Sequence, residues 1–279
     1  MQKSYNRYFF LFVLPTLLAF AVMFVLPFCM GLFLSFTKFT TVNNWEWVGF
    51  ANYIDAFRFD SGFGSALLFT VKFTAVSVVS VNVFAFLLAL ALTRSLRGSD
   101  VFRTVFFMPN LIGGIVLGYI WNLIINGILG FYGLDITYDA SYGFWGLVAL
   151  MNWQLIGYMM VIYIAGLQNV PSELLEAAAI DGASPFQRLR YILLPVLSPS
   201  IAICTFLTLT NSFKLFDQNL ALTAGAPANE TSMLALDIYQ TFYGRIGWQG
   251  VGQAKAVLFF LIVALISFAQ LKLTSGKEA

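Results

Sequence analysis

Long apolar runs separated by shorter polar segments dominate this sequence. Six runs each hold about 20 residues, the length that an α-helix needs to cross the hydrocarbon core of a bilayer. They cover residues 9–36, 66–92, 105–125, 144–167, 196–216 and 256–273. The first run is too long for the core of a signal peptide and has no clear small-residue cleavage site. The pattern therefore predicts an all-α membrane protein with six transmembrane helices.

Positive charge is unevenly distributed over the polar segments between these runs. With a cytoplasmic N-terminus, nine Lys and Arg residues fall in the inner segments 1–8, 93–104, 168–195 and 272–279. Four fall in the outer segments 37–65, 127–143 and 217–255. Because inner loops carry the excess of Lys and Arg, both termini are predicted to be cytoplasmic. Trp45 and Trp47, in the first outer segment, indicate an aromatic belt at the membrane surface.

A polar segment at 169–195 interrupts the apolar runs and is predicted to be a helix–turn–helix outside the membrane. Pro171 suits a first helical turn, and Gly182 suits the left-handed residue that follows a helix. Ser184 and Gln187 have the spacing of a capping box that begins a second helix. We expect that second helix to end at Pro195.

The same segment resembles the EAA loop of bacterial ABC importer permeases. Glu176-Ala177-Ala178, then Gly182, then Ile192-x-Leu194-Pro195 match its fixed positions. The resemblance implies a type I ABC importer permease fold in which this cytoplasmic loop is the coupling helix that docks on an ATPase subunit. On that basis the residues expected at the coupling contact are Leu174, Leu175, Glu176, Ala177, Ala178 and Gly182.

Other stretches resemble the carbohydrate permeases of the maltose and glycerol-phosphate type. They are Val48–Tyr53, Phe102–Pro109, Leu222–Pro227 and Gly250–Ala256. One departure is Ala226, which stands where that family usually has a second glycine. The resemblance places an N-terminal tail, first span and outer loop in 1–65, the permease domain in 66–271 with coupling loop 169–195, and a cytoplasmic tail in 272–279.

The resemblance also implies partners and a location. These are a second permease subunit, a pair of ABC ATPases, an extracytoplasmic solute-binding protein and the lipid of a bacterial inner membrane. The chain is expected to form half of the pathway for a sugar or oligosaccharide.

The composition argues against a catalytic or metal-binding site on this chain. Hydrophobic residues make up 59% and charged residues 10%, and there is no histidine to act as a general base or metal ligand. Cys29 and Cys204 lie in apolar runs and are predicted to be packing residues. No phosphate-binding loop occurs in the sequence, so ATP and Mg²⁺ are expected on a separate subunit. The net charge of +2 gives no reason to expect nucleic acid.

The outer part of the fifth run holds the candidate substrate pathway. Amide, hydroxyl and aromatic side chains interleave there, which suits a neutral sugar; the candidates are Asn211, Ser212, Phe213, Lys214 and Phe216, with Asn82 in the second run. Two simpler interpretations stay open. Lys214 can pair with Asp217 on one helix face, and Asn82 can instead bind another helix.

Two further functions remain possible at this point. A self-sufficient secondary transporter or channel is the alternative, although every Asp and Glu lies outside the six runs. A structural membrane anchor is the third interpretation, and the polar fifth run and the EAA pattern argue against it.

Overall fold

The computed structural model describes residues 12–41, 43–93 and 98–275. Its longer helices are α1 (Phe12–Leu34), α2 (Ala51–Ala56), α3 (Phe63–Thr93), α4 (Ser99–Phe107), α5 (Gly114–Gly130), α6 (Ala140–Gln168), α7 (Ser172–Ile180), α8 (Pro185–Val196), α9 (Ser198–Phe213), α10 (Asp217–Leu222), α11 (Leu234–Gly244) and α12 (Gln249–Ser275). Strands β1 (Thr37–Thr41) and β2 (Asn44–Trp47) form an antiparallel hairpin. The all-α prediction missed this hairpin in the first outer segment.

Within the part of the chain that the structure describes, four helices are long and apolar enough to cross a membrane, and up to six spans result if each bent helix pair counts as one. The predicted runs 66–92 and 144–167 correspond to α3 and α6. The start of the first run, the tail at 1–8, residues 276–279, Arg94 and Arg97 lie outside the described residues.

The third predicted span is not one straight helix. Ser99–Leu111 and Gly114–Gly130 meet at 102°, because Ile112 and Gly113 both adopt extended backbone between them. Hydropathy did not reveal this break, because the residues on both sides of it are apolar.

The fifth predicted span is also bent. Pro185–Val196 and Ser198–Phe213 meet at 71° with Leu197 between them, so the predicted helix end at Pro195 was wrong by one residue. A π-helical stretch, Leu189–Leu193, precedes Pro195. Such a wider turn is a place where the missing N–H of a proline is tolerated.

The chain divides into two units, residues 1–64 with 237–261 and residues 65–236 with 262–279. In the second unit α6 carries much of the core, with Leu147, Leu150 and Met159 buried. Gly157 lets the end of α4 approach α6, since a Cβ there would overlap the carbonyl group of Phe106. Close packing at a small residue is typical of membrane helices.

In the first unit the hairpin is fixed by an amide side chain. Nδ2 of Asn52 donates to the carbonyl oxygens of Ser35 at 2.9 Å and Thr37 at 2.8 Å. Trp45 packs edge-on against Phe33 and remains about half exposed. The predicted belt residue is therefore attached to the end of α1.

A buried lysine holds three segments of this unit together. Nζ of Lys255 donates to the Ser61 carbonyl at 2.6 Å, to Oδ2 of Asp237 at 2.8 Å and to Oγ1 of Thr241 at 2.8 Å. The sequence placed Lys255 in an outer loop before a span at 256–273, which was wrong, because α12 already begins at Gln249. The buried charge is tolerated because all three N–H groups have acceptors.

Candidate functional site

A cleft of about 280 Å³ lies in the second unit, where α9 ends and α10 begins. Its polar lining is Asn110, Gln154, Asn211, Lys214, Asp217 and Gln218, and its apolar lining is Met151, Leu155, Leu215 and Phe216. Amides and two opposite charges thus share one concave surface with a few apolar groups. This combination is typical of small-molecule sites.

Three of the predicted pathway residues, Asn211, Lys214 and Phe216, line this cleft. Asn211 is exposed, and its Nδ2 donates to the Leu207 carbonyl one turn earlier at 2.8 Å. Ser212 and Phe213 are buried and do not belong to the lining. Oγ of Ser212 has no hydrogen-bond partner within the described residues.

The ion pair between Lys214 and Asp217 that the sequence allowed does not form. Lys214 is the C-cap residue that follows α9, with φ −94° and ψ 10°, and Asp217 is the first residue of the separate helix α10. The two residues therefore do not share a helix face. Within the described ranges the ion pairs are Arg58–Asp55, Arg103–Asp100 and Lys255–Asp237.

Helix α10 lies against a glycine stripe on α5. A Cβ at Gly114 would lie 2.7 Å from Cβ of Asp217, and a Cβ at Gly118 would lie 2.7 Å from Cβ of Ala221. One turn further along α5, Nδ2 of Asn122 donates to the Leu222 carbonyl at 2.6 Å. Gly114 and Gly118, four residues apart on α5, therefore allow the backbones of α5 and α10 to approach closely.

The sequence did not identify two amides that meet in the cleft. Nε2 of Gln218 donates to Oε1 of Gln154 at 2.8 Å, joining α10 to α6. Neither residue is among the pathway candidates that the sequence indicated. No periodicity signals this contact, since the two residues lie on different helices.

Asn82 lies in a different environment. Its Oδ1 accepts from the Tyr163 hydroxyl at 2.7 Å, and its Nδ2 donates to the Val78 carbonyl at 2.8 Å and to Oγ1 of Thr208 at 3.4 Å. These bonds join α3, α6 and α9, and Asn82 is absent from the cleft lining. The contacts favour the interpretation that Asn82 binds neighbouring helices.

The 169–195 segment forms the predicted helix–turn–helix. Gly182 follows α7 with a left-handed φ of 76°, and the capping box of Ser184 and Gln187 begins α8. Pro171 has extended backbone and precedes α7, so it is not in the first helical turn.

Exposure differs among the residues predicted for the coupling contact. Glu176, Ala177 and Gly182 are exposed and Leu174 is 46% exposed, but Leu175 is half-buried and Ala178 only 8% exposed. The sequence analysis missed two large apolar side chains in this polar segment, Ile180 and Phe186, which are 87% and 72% exposed. Their size and their placement among polar residues are the signal that could have identified them.

The loop that contains Ala226, the departure from the carbohydrate permease pattern, keeps an ordered turn. Gly225 has φ 91°, whereas Ala226 is not among the described residues with positive φ. Its N–H donates to the Thr223 carbonyl at 2.9 Å. The departure at Ala226 therefore needs no left-handed backbone.

Comparison with known proteins identifies a family that matches most of this chain. Residues 81–275 match the family described as "Binding-protein-dependent transport system inner membrane component". The probable starch degradation products transport system permease protein AmyD of Thermoanaerobacterium thermosulfurigenes is 42% identical, over 97% of this chain and 95% of its own length. The multiple sugar-binding transport system permease protein MsmF of Streptococcus mutans is 31% identical, over 100% of this chain and 99% of its own.

A solved structure shares the fold. A chain of a bacterial ABC transporter involved in the import of the acidic polysaccharide alginate superposes with a TM-score of 0.82. It is 20% identical, and the alignment covers 98% of each chain. At that identity the likeness shows the fold alone.

Proposed function

This chain belongs to the binding-protein-dependent transport system inner membrane components, and from that membership we propose that its cleft is part of the translocation pathway for a sugar or oligosaccharide. The chain is a multi-pass transmembrane subunit of an ATP-driven importer. It works with a second permease subunit, a pair of ABC ATPases and an extracytoplasmic binding protein that delivers the solute. ATP hydrolysis takes place on the ATPase subunits, so this chain is not itself an enzyme.

The observation that carries the substrate proposal is the lining of the cleft. Asn211, Gln154 and Gln218 offer amide donors and acceptors, and Phe216 offers a flat apolar face. A neutral polyhydroxylated solute needs both kinds of contact. The relatives named for starch degradation products and for multiple sugars support the same class.

The coupling proposal concerns the 169–195 segment. We propose that both termini and this segment are cytoplasmic and that the segment contacts an ATPase. Exposed Glu176 and Ala177 and the turn at Gly182 form one part of the contact. Leu174, Ile180 and Phe186 supply the apolar part, since exposed apolar groups beside polar ones are typical of interfaces.

The domain proposal follows from the same resemblance. The permease domain covers residues 66–271, and the family match at 81–275 supports most of that range. The tail, first helix and hairpin of 1–65 precede it.

The coupling proposal is tested with Glu176→Ala and Gly182→Val in the complete complex. We expect ATP hydrolysis stimulated by loaded binding protein to be lost while the permease still inserts, because the contact with the ATPase is broken. Lys72→Met, an exposed site on α3, serves as the matched control. Normal stimulation in well-assembled Glu176 and Gly182 variants would remove the coupling proposal.

A further inference from the structure

Helix α10 is too short to hold its own position. It has six residues, less than two turns, and Phe216, the N-cap residue before it, provides no side-chain hydrogen bond to cap it. Asp217 and Gln218, in its first turn, line the cleft. The shape of the cleft therefore depends on whatever fastens this turn.

Several contacts hold α10. Nδ2 of Asn219, a buried residue of this helix, donates to the Thr231 carbonyl at 2.8 Å, and its Oδ1 accepts from the Met233 N–H at 2.9 Å, so α10 is joined to the loop that follows it. The seat on Gly114 and Gly118 allows close approach but offers no side-chain hydrogen bond. Asn122 fixes the far end of the helix through the Leu222 carbonyl. At the cleft end the bond from Gln218 to Gln154 ties α10 to α6.

We propose that Gln154 is a positioning residue for transport, because its bond to Gln218 fixes the first turn of α10 in the wall of the cleft. Gln154 is 9% exposed, so the bond is largely shielded from competing solvent. The effect of this bond on transport rests on the proposed function of the cleft. The effect of this bond on the position of α10 is independent of that function.

The amide pair also offers hydrogen-bonding groups to a solute in the cleft. A hydrogen bond between two carboxamides uses one N–H and one oxygen, whichever way each amide is turned. It leaves the NH₂ group of one amide and the oxygen of the other, and both residues line the cleft. One donor beside one acceptor matches a hydroxyl group, which both donates and accepts. The pair can therefore bind a hydroxyl group of a solute in the cleft.

Alkylation of a reporter cysteine tests the structural part. The assembled complex carries Cys29→Ser and Asp217→Cys, and the rate of modification by a polar maleimide is measured with and without Gln154→Leu. We expect alkylation to accelerate about threefold to tenfold, the equilibrium effect of one neutral hydrogen bond. Gln218→Leu breaks the same bond from the half-exposed side, so it should give a similar rate, and the double variant should add nothing. Cys204 is buried and becomes labelled only if a variant unfolds. If Gln154→Leu unfolds, the alkylation rate of Gln218→Leu tests the proposal, and the reverse also holds.

Uptake selectivity tests the transport part. Vesicles with the complete complex, lacking the reporter cysteine, are given maltotriose and trehalose, and the ratio of the two uptake rates is compared between the parent and Gln154→Leu. The ratio does not depend on how much complex is assembled, so a general loss of stability leaves it unchanged. We expect it to shift about threefold or more. Equal alkylation rates, or an unchanged ratio, would overturn the proposal. A parent complex that imports no neutral saccharide would contradict the proposed function instead, and the alkylation rates would still decide the role of Gln154.

Discussion

Two polar regions on α9 lie one helical turn apart and differ in how their side chains are satisfied. Thr208 belongs to a buried network in which Asn82 and the Tyr163 hydroxyl bond across three helices. Asn211, one turn later, lines the cleft, and among the described residues its side chain bonds to its own helix alone. The residue types are similar, so composition alone does not separate them. The hydrogen bonds separate the two regions. Polar groups that bond to another helix hold the helices together, whereas polar groups without such a bond can contact a solute.

The largest effect on stability is expected where a buried charge is fully paired. Lys255→Met leaves Asp237 buried without its counter-ion, which costs about 3–5 kcal/mol. We expect a clear fall in the thermal unfolding temperature of the purified complex. Lys72→Met, at an exposed site, is the control and should change little. An equal unfolding temperature for both variants would show that the Lys255 contacts contribute no net stability.

The network on α9 should also respond through stability. Asn82→Leu removes the amide oxygen that accepts from the Tyr163 hydroxyl, at a cost of about 1–3 kcal/mol. The unfolding temperature should fall, while uptake per assembled complex stays near the parent value. Reduced uptake without reduced stability would place Asn82 on the pathway and break the distinction between the two regions.

The sequence could predict most elements but not the contacts between them. Run length and polarity gave α3 and α6 nearly to their ends, and local spacing gave the capping box of Ser184. The bend at Gly113 was not predicted, because hydropathy shows that a segment is apolar but not whether its helix axis changes direction. Lys255 was misplaced because its partner Asp237 lies 18 residues away, and no local pattern reports such a pair. Gln154 and Gln218 were missed for the same reason.

The smallest effect is expected at a buried hydroxyl that makes no bond. Ser212→Ala removes an Oγ with no partner among the described residues, so the unfolding temperature should stay the same or rise slightly. Thr208→Val, one turn earlier, removes a hydroxyl that donates to the Cys204 carbonyl at 2.8 Å. It should lower the unfolding temperature by an amount equivalent to about 1 kcal/mol. The opposite ranking of these two variants would contradict the assignment of partners along α9.

The most direct measurement compares Asn211→Ala with Asn82→Ala in the same vesicles. Both the uptake of a neutral saccharide per assembled complex and the unfolding temperature are recorded for each. The account predicts a crossed pattern. Asn211→Ala should lose about tenfold in uptake with an unchanged unfolding temperature, the equivalent of one lost solute contact of about 1.4 kcal/mol, whereas Asn82→Ala should lose stability and keep its uptake. Unchanged uptake in Asn211→Ala would remove that residue from the pathway and contradict the assignment of the cleft.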